Sequence, residues 1–207
     1  MLGVLGALAR QSGVWPLRLI GAAYVEAIRN TPALVQIFLV YFGLPFFGVH
    51  LSAFIAGVLA LAVNAGAYLT ETIRAGLQSV PPGQFEAART LGLSRVSVFL
   101  HVVLPQAFRV VYPPMVNEFL QVILGSSLLS TIALNEITGV ALTLNGLTFE
   151  TINAFSVALV LYLVLTTAVS LGANLLARAV FRPPLPRLRR SRSALRFWAI
   201  GTMGGTR

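Results

Sequence analysis

The sequence contains no cysteine. A disulfide framework and a thiolate metal site are therefore both excluded. Lysine is absent as well, and all 15 basic residues are arginines. Without lysine there is no phosphate-binding Gly-x-x-x-x-Gly-Lys-Ser/Thr loop, so the chain cannot hold ATP through one. Histidine is limited to His50 and His101, too few for a metal cluster. Charged residues make up only 10% of the 207, against about 25% in a typical soluble domain.

What is present is hydrophobic: 57% of the residues, the composition of an integral membrane protein. The net charge of +9 taken alone would suit nucleic acid, but its placement excludes that partner. Arg10, Arg18 and Arg29 form one group, and Arg74, Arg89 and Arg95 a second. Arg109 stands alone, and the rest run from Arg178 to Arg207. No arginine lies between Arg29 and Arg74, or between Arg109 and Arg178. Basic loops stay in the cytoplasm, so each arginine-free interval leaves it and returns. Residues 30–73 are long enough for two spans of about 18–20 residues. Residues 98–177 hold two more, and the C-terminus ends inside.

Met1 to Ala9 is apolar but shorter than a span. Arg10 to Asn30 carries Leu17, Ile20, Tyr24 and Ile28 on one face, which predicts an amphipathic helix lying at the inner membrane surface. Thr31-Pro32 starts the next helix. Gly43, Pro45 and Gly48 mark an outer turn. Leu51 to Gly76 reads as a span, as does Val96 to Leu124, which Pro105 and Pro113-Pro114 interrupt. Thr151 to Phe181 is the longest uniform apolar run. The chain divides into a membrane domain over 1–181 and a basic tail over 182–207, read as disordered or attracted to anionic head groups.

Between two spans, on the basic side, stands Glu86-Ala87-Ala88-Arg89-Thr90-Leu91-Gly92, followed after nine residues by Val102-Val103-Leu104-Pro105. The residues around it predict a short helix in a loop over about 79–95. Pro82 suits its first turn, and Glu86 lies early enough to meet the positive helix end. Ala87 and Ala88 are small enough to admit another surface. Gly92 suits the left-handed position that stops a helix, and Ser94 can cap the next one. A helix with a fixed turn at its end can act as a rigid lever.

This pattern resembles the cytoplasmic loop by which membrane subunits of bacterial ATP-binding-cassette importers grip their ATPase. Further stretches are similar to the polar amino acid subclass of these permeases. They include Arg29-Asn30-Thr31-Pro32-Ala33-Leu34-Val35-Gln36, Ala67-Tyr68-Leu69-Thr70-Glu71-Thr72-Ile73-Arg74-Ala75-Gly76, and Leu104-Pro105-Gln106-Ala107-Phe108-Arg109 followed by Pro113-Pro114 and Asn117-Glu118. Ser126-Ser127-Leu128 stands where the family has Thr-Ser-Leu, with Leu124-Gly125 in place of a polar pair often found before it. The resemblance implies an all-α integral membrane protein, a MetI-like helical bundle of the type I importer class. It implies four full transmembrane helices here, because only the last third of the family's opening helix remains in Leu2 to Ala9.

It also implies partners: a second permease subunit (as a homodimer or heterodimer), a pair of ATPase subunits that bind the ATP, and an extracytoplasmic solute-binding protein. The setting is the bacterial inner membrane, crossed several times with the C-terminus cytoplasmic, and no enzymatic activity or cofactor belongs to the chain itself. Glu86, Ala87, Ala88, Gly92, Leu104 and Pro105 would couple to the ATPase.

Ionisable residues at membrane depth must face protein or water. Asn117 and Gln121 share one helix face with Glu118 beside them, and this stripe is expected to face the pathway or the partner subunit, or else to bond between helices. Arg109 and Glu118 lie on opposite sides of a straight helix, a geometry that Pro113-Pro114 could change. Asn64, Tyr68 and Glu71 form a similar set, in which Glu71 pairs with Arg74 near the inner end. Two other classes of function stay in view. A small secondary transporter would need an inverted repeat, and none is visible. An intramembrane serine hydrolase would pair Ser126 or Ser127 with His101, without a Gly-x-Ser-x-Gly elbow.

Overall fold

The computed structural model describes residues 1–181; the tail over 182–207 and the reading given to it lie outside the described residues. Nearly every described residue is helical. Helix α1 (Leu2–Gln11) is followed by α2 (Trp15–Arg29), with Pro16 in its first turn. Helix α3 (Ala33–Phe38) starts after Pro32 and continues through a π turn (Leu39–Gly43) and a 3-10 turn (Leu44–Phe47). Helix α4 is Ala53–Gln78, capped by Ser52, whose hydroxyl accepts from the Ile55 amide. Two short helices follow, α5 (Pro82–Thr90) and α6 (Arg95–Val98). A π turn (Phe99–Val103) leads into α7 (Leu104–Gly125), which runs on as a 3-10 segment (Ser126–Ile132). Helices α8 (Ile137–Thr148) and α9 (Thr151–Val180) complete the order.

Three runs among the described residues are long and apolar enough to cross a membrane: α4, the 38-residue run Arg95–Ile132, and α9. A fourth exists if α2 and Ala33–Phe47, bent by 107° at residues 30–32, count as one broken span. The span expected from Pro32 is thus a run of 15 helical residues, about 22 Å at the usual rise, that follows a sharp bend.

The placement of α2 differs from the flat surface helix expected of Arg10–Asn30. Gly21 and Val25 are buried, and the Tyr24 hydroxyl donates to the Val63 carbonyl, 2.6 Å away and midway along α4. Of the four residues expected on the lipid-facing side, Tyr24 and Ile28 are partly buried, while Leu17 and Ile20 remain exposed. One side of α2 thus packs on protein, which also satisfies the tyrosine hydroxyl.

Helix α4 is the hub. Helix α1 lies against it at small residues: Gly6 sits so close to Thr70 that a side-chain carbon would overlap it. On another face Gly76 approaches Val111 of α7 in the same way. In lipid, helices associate through such close contact rather than through a hydrophobic driving force. The core proper is small: Ile37, Ala60, Leu129 and Ile132 toward one end, and Tyr112, Ala177 and Phe181 toward the other. Between Ile132 and α8 the backbone leaves the helix at Ala133, which takes a left-handed φ of 61°. Irregular backbone at membrane depth is tolerated only where protein or water covers it.

Candidate functional site

The loop between α4 and α7 folds as a helix with a defined stop. The amide of Leu93 donates to the Ala88 carbonyl (3.3 Å) and that of Gly92 to Arg89 (2.9 Å). Gly92 has φ +82°. This pair of bonds around a left-handed glycine is the Schellman motif. Two residues later the Ser94 hydroxyl accepts from the Ser97 amide at 3.2 Å and opens α6. The expected stop at Gly92 and cap at Ser94 are both present.

The two alanines divide their roles. Ala88 is 6% exposed and faces its own chain, while Ala87 and Glu86 are exposed. Glu86 lies in the second turn of α5, whose first turn holds no acid. The expected dipole contact is therefore weak, because that effect falls off within one turn. The tip presents apolar side chains outward: Leu91 is 81% exposed and Val96 68%.

Leu104 and Pro105 open α7 immediately after the π turn. Proline has no amide hydrogen and its ring crowds the carbonyl four residues back. Here that carbonyl belongs to His101, inside the π turn, where the wider coil accommodates it.

The intramembrane candidates do not form one stripe. The Asn64 amide donates to the Gln36 side chain at 2.8 Å. Gln36, only 8% exposed, in turn donates to the Ile28 carbonyl and the Thr31 hydroxyl, both at 2.8 Å. Asn64 therefore ties α4 to the α2–α3 bend. Tyr68 lies under the Arg29 guanidinium, 5.3 Å from ring centre to charge. Glu71 pairs with Arg10 of α1 and with Arg74 (2.7 Å), the structural role expected of it.

On α7, Arg109 sits over the Phe181 ring at 5.9 Å. It lines a cleft of about 500 Å³ with Ser79, Val80, Pro105 and Gln106. Asn117 faces a crevice against α9. Of the Asn117–Glu118–Gln121 stripe, Asn117 and Gln121 are exposed and Glu118 is partly buried.

Three residues not selected from the sequence matter to this arrangement. Arg29 lies over the Tyr68 ring, and Gln36 holds the bend. Glu136 caps α8 by accepting from the Thr138 amide (2.8 Å) and the Gly139 amide (2.7 Å), and it also accepts from the Tyr162 hydroxyl (2.7 Å). Gln36 was visible as the lone polar residue in Ala33–Tyr41. Glu136 gave little signal, because serine, threonine, aspartate and asparagine are the usual caps.

The serine hydrolase alternative finds no geometry. His101 lies 3.1 Å from the Ser97 carbonyl. Ser126 and Ser127 donate to carbonyls of their own helix at 2.7 Å. Histidine and serines are separated along a single continuous run by about 37 Å of helix.

Residues 2–182 match the family described as the binding-protein-dependent transport system inner membrane component. The chain is 41% identical over 178 residues to the "Probable glutamine ABC transporter permease protein GlnM" of Bacillus subtilis, covering 86% of this chain and 82% of that one. It is 40% identical over 184 residues to the octopine transport system permease protein OccM of Rhizobium radiobacter, covering 84% and 75%. A solved structure described as an amino acid ABC transporter with histidines superposes with a TM-score of 0.80 at 38% identity, covering 86% of this chain and 84% of that one. The inward-facing MetNI methionine ABC transporter shares the fold at a TM-score of 0.66 and 19% identity. With a stopped helix between two long apolar runs, and with all but the first of the described residues matched, this chain belongs to the family of inner membrane components of binding-protein-dependent transport systems.

Proposed function

We propose that this subunit carries a polar amino acid across the inner membrane and is driven by a separate ATPase that docks on residues 79–95. The observation that carries the reading is the tip of that loop. Leu91 and Val96 are exposed there beside a left-handed glycine, on the side that the arginine groups assign to the cytoplasm. Exposed leucine and valine on a rigid turn offer apolar area that a partner surface can bury. Glu86 and Ala87 stand on the open side of α5 and Ala88 supports it from within, while Leu104 and Pro105 link the loop to α7.

A second permease subunit completes the pathway, a soluble binding protein delivers the substrate, and the C-terminus lies inside. Asn64, Tyr68, Arg109, Asn117, Glu118 and Gln121 are the pathway candidates. Of these, Tyr68 and Glu118, together with Arg29, supply both charge signs, as a zwitterionic substrate requires. The amino acid substrates named for the relatives above support the substrate class.

The test uses Glu86→Arg and Gly92→Asp in the assembled transporter. Both variants are expected to insert normally, to lose ATPase on purification, and to lose ATP-driven uptake. Wild-type uptake with normal ATPase retention in either would overturn the docking assignment.

A further inference from the structure

Hydrogen-bonding groups at membrane depth do not face hydrocarbon unpartnered. Helix α9 is strongly apolar, yet Tyr162, Thr166, Ser170 and Asn174 recur along it every four residues. The first two are engaged: Tyr162 donates to Glu136 and Thr166 to the Tyr162 carbonyl, both at 2.7 Å. Farther along, the row opens onto a crevice of about 210 Å³ between α7 and α9. Asn117, Ser170 and Asn174 line it, with Tyr112, Pro113 and Ala177.

The Tyr112 hydroxyl is spent on the Ala173 carbonyl at 2.7 Å, which pins the two helices together at the crevice. The Asn174 amide nitrogen donates to the Ser170 carbonyl at 2.8 Å, and its carbonyl oxygen accepts nothing among the described residues. No side-chain hydrogen bond among the described residues engages Asn117. The crevice lies toward the inner end of α9: Asn174 stands one turn before Arg178, about 6 Å along the helix.

We propose that this crevice is a hydrated subsite of the translocation pathway that takes a neutral hydrogen-bonding group of the substrate, a carboxamide above all. The inference rests on the import reading given above. Two carboxamides and a hydroxyl offer donors and acceptors together, and the lining holds neither an acid nor a base. The volume lies below the range of about 300–1,000 Å³ of drug-sized pockets, which suits one end of a small amino acid.

The absence of native cysteine makes the test clean. Ser170→Cys, a near-isosteric change, and Asn174→Cys are placed singly in the assembled transporter in proteoliposomes. They are exposed to a charged, water-soluble thiol reagent, with Leu175→Cys, on an exposed face of α9, as control. Both crevice cysteines are expected to react on the order of 100-fold faster than the control, because hydrocarbon excludes charge. Excess glutamine is expected to slow them, and alanine to leave them unchanged. Reaction at the control rate means that lipid or a partner helix fills the crevice and overturns the proposal. Fast reaction unaffected by glutamine overturns the subsite. Failure of the import reading would appear separately, as loss of ATP-driven uptake by the cysteine-free parent.

Discussion

Replacing Gly92 separates a backbone requirement from a contact requirement. Gly92 holds φ +82°, and no atom outside its immediate neighbours lies within 4 Å of where a side-chain carbon would be. A neutral substitution there meets open space, so its cost is conformational, whereas aspartate also brings a charge to the docking surface. A left-handed conformation costs an L-residue roughly 1–2 kcal/mol, and asparagine less. For a valine the conformation is a genuine outlier. A shift of about 1–2 kcal/mol changes a two-state population by a factor of about 5–30.

Gly92→Asn is therefore expected to keep most ATP-driven uptake, Gly92→Ala to lose about 5–30-fold, and Gly92→Val more. Membrane insertion should be equal in all three, since no packed contact changes. The assay is uptake into proteoliposomes at matched incorporation, with the retained ATPase measured on the same preparations. Wild-type uptake by Gly92→Val would refute the argument that the left-handed stop matters. Asparagine as damaging as valine would show that side-chain bulk at the docking surface, not backbone conformation, is what the partner reads.

Other expectations follow from the packing. Gly76→Ala drives a methyl into Val111 and should cost about 1–3 kcal/mol, read as a lowered Tm in detergent; an unchanged Tm would show that α4 and α7 part freely. Gln36→Leu orphans the Asn64 amide and should cost about 1–3 kcal/mol. Asn64→Leu in the same chain should recover part of that loss, and simple additivity of the two changes would refute the coupling. Glu136→Ala removes both the α8 cap and the acceptor of Tyr162, a loss of about 2 kcal/mol. Hydrogen exchange at the Thr138 and Gly139 amides should rise in Glu136→Ala and stay protected in Tyr162→Phe; equal exchange in the two variants would show that Tyr162, not the cap, holds this end of α8.

Much of the architecture was legible because lipid imposes a simple rule on sequence. Long apolar runs must be helices, and arginine must stay on one side. Hence α4, the run through α7, and α9 could be read directly. The loop was legible because its signals are local: a proline start, a left-handed glycine and a serine cap act within a few residues of themselves. Where α2 lies was not legible, since an amphipathic face fits a membrane surface and a groove between helices equally well; the Tyr24–Val63 bond turns one side of α2 to the protein, while Leu17 and Ile20 stay exposed.

The polar residues within the spans divide along the same line. The sequence by itself determined that Asn64, Tyr68, Asn117 and Glu118 stand at membrane depth and need partners, because their neighbours are apolar. It could not say which partners, since one helix turn carries adjacent residues to different faces. Only the tertiary structure decided that Asn64 ties α4 to a bend, that Tyr68 lies beneath Arg29, and that Asn117 meets the crevice against α9. The row from Tyr162 to Asn174 shows the same limit from the other direction. Its spacing was present in the sequence, hidden within an apolar helix, and acquired meaning only when α7 brought Asn117 across from it. Hydrogen bonds act over about 3 Å, and only packing brings residues far apart in sequence that close.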